Sequence, residues 1–453
     1  MPAALIWRCW PHSPDLNTLE TTMTKTGMTQ PFCFGVKTPL WAALIGAVAA
    51  LGPMGSAAKA EGASAAPRND AQAEPVRISP ENRRLLALAL IQKAQGNFDE
   101  AIKLLRQGYR NNPDSLMIRR ELALALLLNK NFASAKYHFD ALENADPDAE
   151  LRAAYKNFNN IIRRNRKLGF GVQFAILPST NLNQGTSNSH FDSTAGQVLI
   201  DKNAKPISGV GVKLGVSGYF QHMFDAQSRV VADWRISREL YKHKQFNSTS
   251  GLLSLTYQRA ADQFDWSIST YAQNVWREQG TDKLVYGARG DLSLRLGDKK
   301  RLSFSLDLGR DQYKGNPQAS GNFAIFNTAL SYQLSPSMSI TSGFGLEGSR
   351  PSAKYAQYNA AKAFVDVSKY WKGGLSTSLG LEIGARKYAD TYPNTTSARS
   401  DKFYKLNLSL QNDNISLGGF TPRVDCSYKK NISNVAYFDY GTTNCGISFS
   451  RSF

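Results

Sequence analysis

From residue 168 to the end of this 453-residue chain, apolar and polar side chains alternate with a period of two, in about fourteen segments separated by turn residues. Successive side chains of a strand point to opposite faces, so this period is β-structure. Leu302, Phe304, Leu306 and Leu308 share one face while Ser303, Ser305 and Asp307 share the other. Leu379, Leu381 and Ile383 likewise oppose Ser378 and Glu382, and Val210, Val212 and Leu214 oppose Gly211 and Lys213. A soluble sandwich also alternates, so connection length decides. The segments lie near 168–178, 207–221, 228–242, 248–261, 263–276, 283–297, 301–313, 321–334, 337–349, 358–371, 374–388, 401–412, 414–429 and 440–453. Tight turns at Ala261-Asp262, Gly297 to Lys300, Ser335-Pro336-Ser337, Lys372-Gly373 and Asn412-Asp413-Asn414 alternate with longer polar connections at 179–206, 314–320, 350–357 and 389–400. Short and long ends segregate, which is the asymmetry of an outer-membrane barrel, and an even strand count suits bacterial barrels.

A strand and its connection together take about 20 residues, leaving room for the 9–11 that a tilted strand needs to span a bilayer. Trp234, Trp266, Trp276 and Trp371 are expected in the interfacial aromatic girdles. The chain stops on an alternating strand with Phe453 as its last residue, resembling the sorting signal read by the barrel-insertion machinery; Arg451 falls where a long cation can snorkel. No stretch approaches the roughly 20 apolar residues of a membrane helix.

Before the strands, from residue 78 to 167, apolar residues recur at helical spacing, as in Leu85, Leu86, Ala89 and Leu90. Aligned on itself, this stretch matches Asn97-Phe98 with Asn131-Phe132, Ala101 with Ala135, Leu90 with Leu124 and Pro113 with Pro147, each offset by 34. That offset is the tetratricopeptide period. Each repeat sets an aromatic (Phe98, Phe132) and a small residue (Ala101, Ala135) where two helices meet, then a Pro (Pro113, Pro147) that ends the second helix. A further helix, 150–166, caps the stack. Such repeats offer a groove for a partner; the run Arg163-Arg164-Asn165-Arg166-Lys167 is expected to be a solvated helix end that complements the helix dipole.

The amino end is expected to be an address. Residues 39–51 form an apolar run of signal-peptide length, preceded by Lys25 and Lys37 and followed by Ala58-Lys59-Ala60, with cleavage expected after Ala60. Met23 or Met28 would give a more ordinary start, and 61–77 is an Ala/Pro/polar linker. The expected fold class is thus α+β multidomain. A signal peptide (1–60) and linker lead to a short periplasmic tetratricopeptide domain (78–167) and a transmembrane antiparallel β-barrel of about 14 strands (168–453) in the outer membrane.

Chemistry-bearing patterns are sparse. Gly343-Phe344-Gly345-Leu346-Glu347-Gly348 matches GxGxxG but lies within a strand with no helix after it, so it reads as barrel glycines. Lumen-side carboxylates (Asp233, Asp265, Asp291, Asp307, Glu347, Glu382) alternate with cations (Lys213, Arg235, Arg289, Arg295), the pattern of an internally paired lumen. Four cysteines and five scattered histidines fit no zinc spacing. No catalytic, cofactor or metal site is expected, and the formal charge of +18 is no sign of nucleic-acid binding in an exported barrel. Cys426 and Cys445 would stand opposite one another in a hairpin turning near Val435, and a disulfide is expected there.

Leu177-Pro178-Ser179-Thr180-Asn181-Leu182-Asn183-Gln184-Gly185 follows the first strand. Pro178, Ser179, Thr180, Asn181 and Asn183 resemble the Pro-Ser-Thr-Asn-x-Asn segment at the start of the barrel in the surface lipoprotein assembly modulator (Slam) family, the type XI outer-membrane translocators. With signal peptide, tetratricopeptides and barrel, the resemblance covers about 80–453. It implies export of a client protein, a surface lipoprotein or a soluble secreted protein, with the helical domain engaging the client in the periplasm. The chain departs from the family in having few repeats. Two other readings remain: a polysaccharide-export porin of the tetratricopeptide-plus-barrel type, against which the short repeat domain and the barrel's 32 basic and 21 acidic residues argue, and a passive porin.

Overall fold

The computed structural model describes residues 79–452 apart from 262, 281, 413, 414 and 416–419. The expected signal peptide, the linker and Phe453 lie outside the described residues.

Among the described residues five helices come first: α1 (Pro80–Ala94), α2 (Phe98–Asn111), α3 (Leu116–Leu128), α4 (Phe132–Ala145) and α5 (Ala149–Asn165). The starts of all but α2 are capped by side chains, which satisfies backbone donors that a first turn leaves open. Ser79 accepts from Asn82 N, Ser115 from Ile118 N, and Asp148 from Glu150 N and Leu151 N. Ala101 and Ala135 are wholly buried at the helix crossings, Phe132 and Pro113 are buried, Phe98 is half-buried and Pro147 is exposed. One core runs through the stack, with Leu105, Ile118, Leu122, Phe139, Leu142 and Tyr155 at its centre. Arg120 Nε donates to the Tyr155 hydroxyl (2.8 Å), which donates to Asp146 (2.7 Å), tying α5 to the second repeat.

The repeats share a strained turn. Gly96 holds φ +81°, and its equivalent 34 residues on, Lys130, holds φ 57°. A side chain in the left-handed region costs about 1 kcal/mol that glycine avoids. Lys130→Gly should therefore raise stability by up to about 1 kcal/mol, read as a higher thermal midpoint of the helical signal.

Sixteen strands follow: β1 (Leu168–Ser179), β2 (His190–Ser193), β3 (Gly196–Leu199), β4 (Gly209–Met223), β5 (Ser228–Tyr241), β6 (Ser248–Ala260), β7 (Phe264–Arg277), β8 (Lys283–Leu296), β9 (Lys300–Tyr313), β10 (Gly321–Ser335), β11 (Met338–Pro351), β12 (Tyr358–Tyr370), β13 (Leu375–Thr391), β14 (Ala398–Asn412), β15 (Thr421–Ser433) and β16 (Tyr440–Ser452). Fourteen of them, all but β2 and β3, close into one antiparallel barrel in which β1 pairs with both β4 and β16. Closure removes every sheet edge, the condition for strands to cross lipid. The apolar faces point outward, where Leu308 is 50% and Ile383 54% exposed, which excludes a dry-cored sandwich. Gly343 sits in β11 where a Cβ would lie 2.1 Å from the Thr328 carbonyl oxygen, so the GxGxxG match is a close strand approach.

Three expectations need correction. The strand expected from 414 begins only at Thr421, and the turn expected at Asn412-Asp413-Asn414 falls partly on residues outside those described. Trp276 and Trp371 stand at strand ends, but Trp234 lies mid-strand in β5, where its indole fills the space left by Gly218. Arg166 is not solvated: it is buried with its guanidinium over the Phe132 ring, because the helix end is pressed against the barrel.

Cys426 and Cys445 occupy opposed register positions on β15 and β16 and are joined by a disulfide. Their separation of 19 residues makes the closed loop worth at most about 3 kcal/mol by chain entropy. Cys426→Ala/Cys445→Ala should lower the temperature at which the barrel loses its compact gel mobility, with closure retained in the cold.

Candidate functional site

The barrel encloses water-accessible space. One cavity of about 1940 Å³ runs from Arg119 and Tyr137 of the helical domain, past Lys213 and Glu239 on the wall, to Asn183 and Tyr437 at the loop end. A second, of about 1150 Å³, spans from Glu143 and Lys156 to Arg289 and Asn407. Wall charges neutralise one another: Lys213 meets Glu239 at 2.9 Å, Arg289 meets Asp291 at 2.9 Å, Arg301 meets Asp265 at 3.0 Å, and Lys362 meets Glu382 at 3.6 Å. Tyr271 donates to Asp307, and Tyr358 to Glu347. A lumen of this kind keeps water, and charges paired in this way present little field of their own to a passing chain. Among the described residues no three His, Cys, Asp or Glu side chains group as a metal site.

The helical domain closes the end that carries the tight turns. Asp114 accepts from Ser335 Oγ (3.0 Å) and Ser337 N (3.1 Å) at the β10–β11 turn, where Arg119 also donates to the Pro336 carbonyl (2.8 Å). Arg295 pairs with Glu143 (3.0 Å), and Arg152 with Asp298 at the β8–β9 turn (2.8 Å). Gln221 of β4 donates to the carbonyls of Arg163 and Arg166 at the end of α5. Tyr370 of β12 leaves the wall to join the helical core beside Tyr109, ring centroids 4.9 Å apart. These partners lie far apart in sequence, and no local signal marks Glu143 or Asp114 as fastenings. Burial sets the electrostatics here: it holds the His138 imidazole, which lines the cavity, well below its ordinary pKa, and the guanidiniums of Arg119 and Arg106 add to the effect.

At the opposite end, the connection between β1 and β4 folds over the mouth. The Pro178-to-Asn183 segment is its hinge. Thr180 N donates to Thr443 O (3.0 Å), and Thr443 N to Thr180 Oγ1 (2.9 Å). Asn181, 3% exposed, donates to the carbonyls of Gly185 (2.8 Å) and Gly441 (2.9 Å) and accepts from Gly185 N (2.7 Å). Asn183 donates to Lys205 O (2.7 Å) and accepts from Ile207 N (3.0 Å), drawing the far end of the connection back. Gly185 is needed there because a Cβ would meet Ala204 O at 2.5 Å. The small β2–β3 hairpin, unforeseen in the sequence, crowns this connection, and Thr194 N bonds Asn394 O in the β13–β14 loop. Pro178 and Ser179 remain in β1, opposite Val210 and Gly209 of β4. The motif residues thus gather at one place, beside the Cys426–Cys445 bridge on the neighbouring strands, whereas the repeat residues belong to the helical domain at the other end of the barrel.

The family model described as surface lipoprotein assembly modifier matches residues 169–453, which is the whole barrel. The chain belongs to that family. A tetratricopeptide repeat model matches 92–157. Among the curated members of the surface lipoprotein assembly modifier family, the one from Moraxella catarrhalis is 26% identical over 377 residues, 81% of this chain and 72% of that protein. Surface lipoprotein assembly modifier 1 of Haemophilus influenzae is 23% identical, over 81% of this chain and 77% of its own length. Among solved structures, the outer membrane channel DcaP of Acinetobacter baumannii aligns with a TM-score of 0.37 at 11% identity, over 63% of this chain and 96% of that one.

Proposed function

We propose that this chain is an outer-membrane translocator that carries a client protein, a surface lipoprotein or a soluble secreted protein, from the periplasm to the cell surface. The observation that carries the reading is the doubly capped lumen: a water-accessible passage with helical repeats across one mouth and a hinged loop across the other. A passive porin has no need of a repeat domain at its entrance. The names of the relatives, surface lipoprotein assembly modifiers, support a lipoprotein as client.

In this reading the helical domain lies in the periplasm and receives the client. Leu88 and Ile91 of α1 and Met117 of α3 are exposed, apolar side chains of the kind an unfolded client segment meets first. The export signal before Ala60 brings the chain out of the cytoplasm, and the insertion machinery folds the barrel into the membrane. The bilayer lipid covers the barrel's outer face. With no nucleotide site foreseen in the sequence, the driving force is client binding and client folding outside the cell. Deleting the gene and shaving intact cells with protease tests the whole reading. One or more lipoproteins should vanish from the shaved fraction while their total amount is kept, and an unchanged surface set would end it.

A further inference from the structure

Among the described residues, the seam between β1 and β16 is paired over the shortest length of the fourteen. Its register runs from Gly171 opposite Ser452 to Ile176 opposite Ile447, skips Leu177 and Pro178, and resumes at Ser179 opposite Asn444. On its other side β1 pairs without a break with β4 through those same two residues. Pro178 explains the difference, because proline has no N–H to give a ladder and is confined to strands that behave as edges. Continuing the register across the skip sets Cys445 opposite Pro178, so the bridge to Cys426 fastens β16 to β15 at the level where β16 is loosest on β1. If the wall parts, it parts between β1 and β16.

Two further features converge on this place. The hinge bonds of Thr180 and Asn181 to Thr443 and Gly441 tie the outer loop to β16 immediately above the skip, so lifting the loop removes what holds the seam there. The lipid side of the seam carries Phe174, Ile176, Ile447 and Phe449, and the lumen side Gln173, Ser448 and Ser450. A lipoprotein's polypeptide suits the polar lumen, but its acyl chains do not, since each methylene is stabilised by hydrocarbon and not by water. We propose that the seam between β1 and β16 opens in its loop-side half to pass the acyl chains of a lipidated client from the lumen into the outer leaflet. This rests on the translocator reading given above.

A lock tests it. Ala175 and Ser448 face each other directly across the seam, on the lumen side, at a spacing that antiparallel partners share with disulfides. Ala175→Cys/Ser448→Cys is oxidised in the full chain; Ser331→Cys/Thr341→Cys, whose hydroxyls now lie 2.9 Å apart across β10–β11, is the control lock. The probe is a lipoprotein whose surface exposure is lost on deleting this gene, in its acylated form and as a variant lacking the acylated cysteine. Compact gel mobility confirms that each locked barrel is folded. The seam lock should cut surface display of the acylated form by about tenfold or more, reversed by reductant, with the unacylated form and the control lock within about twofold of the unmodified protein. Undiminished display of the acylated form behind a fully formed seam lock overturns the proposal, as does equal loss of both forms. If no lipoprotein loses surface exposure when this gene is deleted, the translocator reading itself is overturned.

Discussion

A chain carrying Asp114→Ala, Glu143→Ala and Arg152→Ala should conduct ions where the native protein is closed. Each substitution removes a fastening between the helical domain and the barrel mouth while leaving both folds their cores. Asp114 holds the β10–β11 turn through Ser335 and Ser337, Glu143 pairs with Arg295 where both side chains are about five-sixths covered, and Arg152 pairs with a half-exposed Asp298. The Arg295–Glu143 pair and the Asp114 bonds are worth about 1–2 kcal/mol each, and the exposed-partner pair at most about 1 kcal/mol. Together they shift the docked state by about 3–4 kcal/mol, a factor of a few hundred in the closed-to-open ratio. In planar bilayers the native protein should show rare, brief openings and the triple variant long ones of the same unit size. Equal open times would mean that the helical domain does not govern access to the lumen.

Asn181→Ala should loosen the opposite mouth. Its amide makes three bonds in a buried position, and alanine would leave Gly185 N and the carbonyls of Gly185 and Gly441 without partners in a place water reaches poorly. The cost is about 2–4 kcal/mol, several times what a surface asparagine would give. Since this loop buries few apolar side chains of its own, Ile200 and Ala204 among them, and leans on such bonds, the loss falls on the lid and not on the barrel. Protease added to intact cells should cut between residues 185 and 205 in Asn181→Ala and spare the native chain, while heat-modifiable mobility stays the same. Thr186 is a useful companion, for its hydroxyl bonds Ala436 O across the mouth and its loss should act in the same direction with smaller effect.

Why the barrel was legible in the sequence and its closures were not comes down to the range of the forces involved. Alternation such as Leu302 to Leu308 against Ser303 to Asp307 is local, and a one-residue slip would turn every leucine into water, so strand limits could be placed to within a few residues. The 34-residue repeat is local too, and Gly96 and Lys130 show the same turn built twice with different success. The start of β15 was placed too early, at 414 and not Thr421, because Asn-Asp-Asn is a turn signal wherever it stands and nothing nearby marks where the next strand begins. Arg166 was misread for a related reason: a basic helix end looks solvated until the β4 residue that donates to its carbonyl, Gln221, is known.

The motif from Pro178 to Asn183 stands between these cases. Its composition pointed to a turn at the barrel's rim, and that is where it lies. Its work is done on Gly441 and Thr443, some 260 residues away, and on Lys205 and Ile207, none of which carries a pattern that singles it out. Pro178 was visible as a residue, but only the register shows that the donor it lacks falls on the β16 side. The fastenings of the helical domain, Glu143 to Arg295 and Arg152 to Asp298, were illegible for the same reason, since each charge looks like one of many on a solvated surface.

Protease accessibility in vesicles tests the central claim most directly. The full chain is inserted with its helical domain facing the vesicle interior, an acylated client and an inert soluble marker are enclosed, and protease is added outside. The account predicts that the client becomes susceptible with time while the marker stays protected, and that the pace quickens in neither empty vesicles nor vesicles holding an unrelated barrel. A client that stays as protected as the marker, behind a folded and correctly oriented barrel, would contradict it.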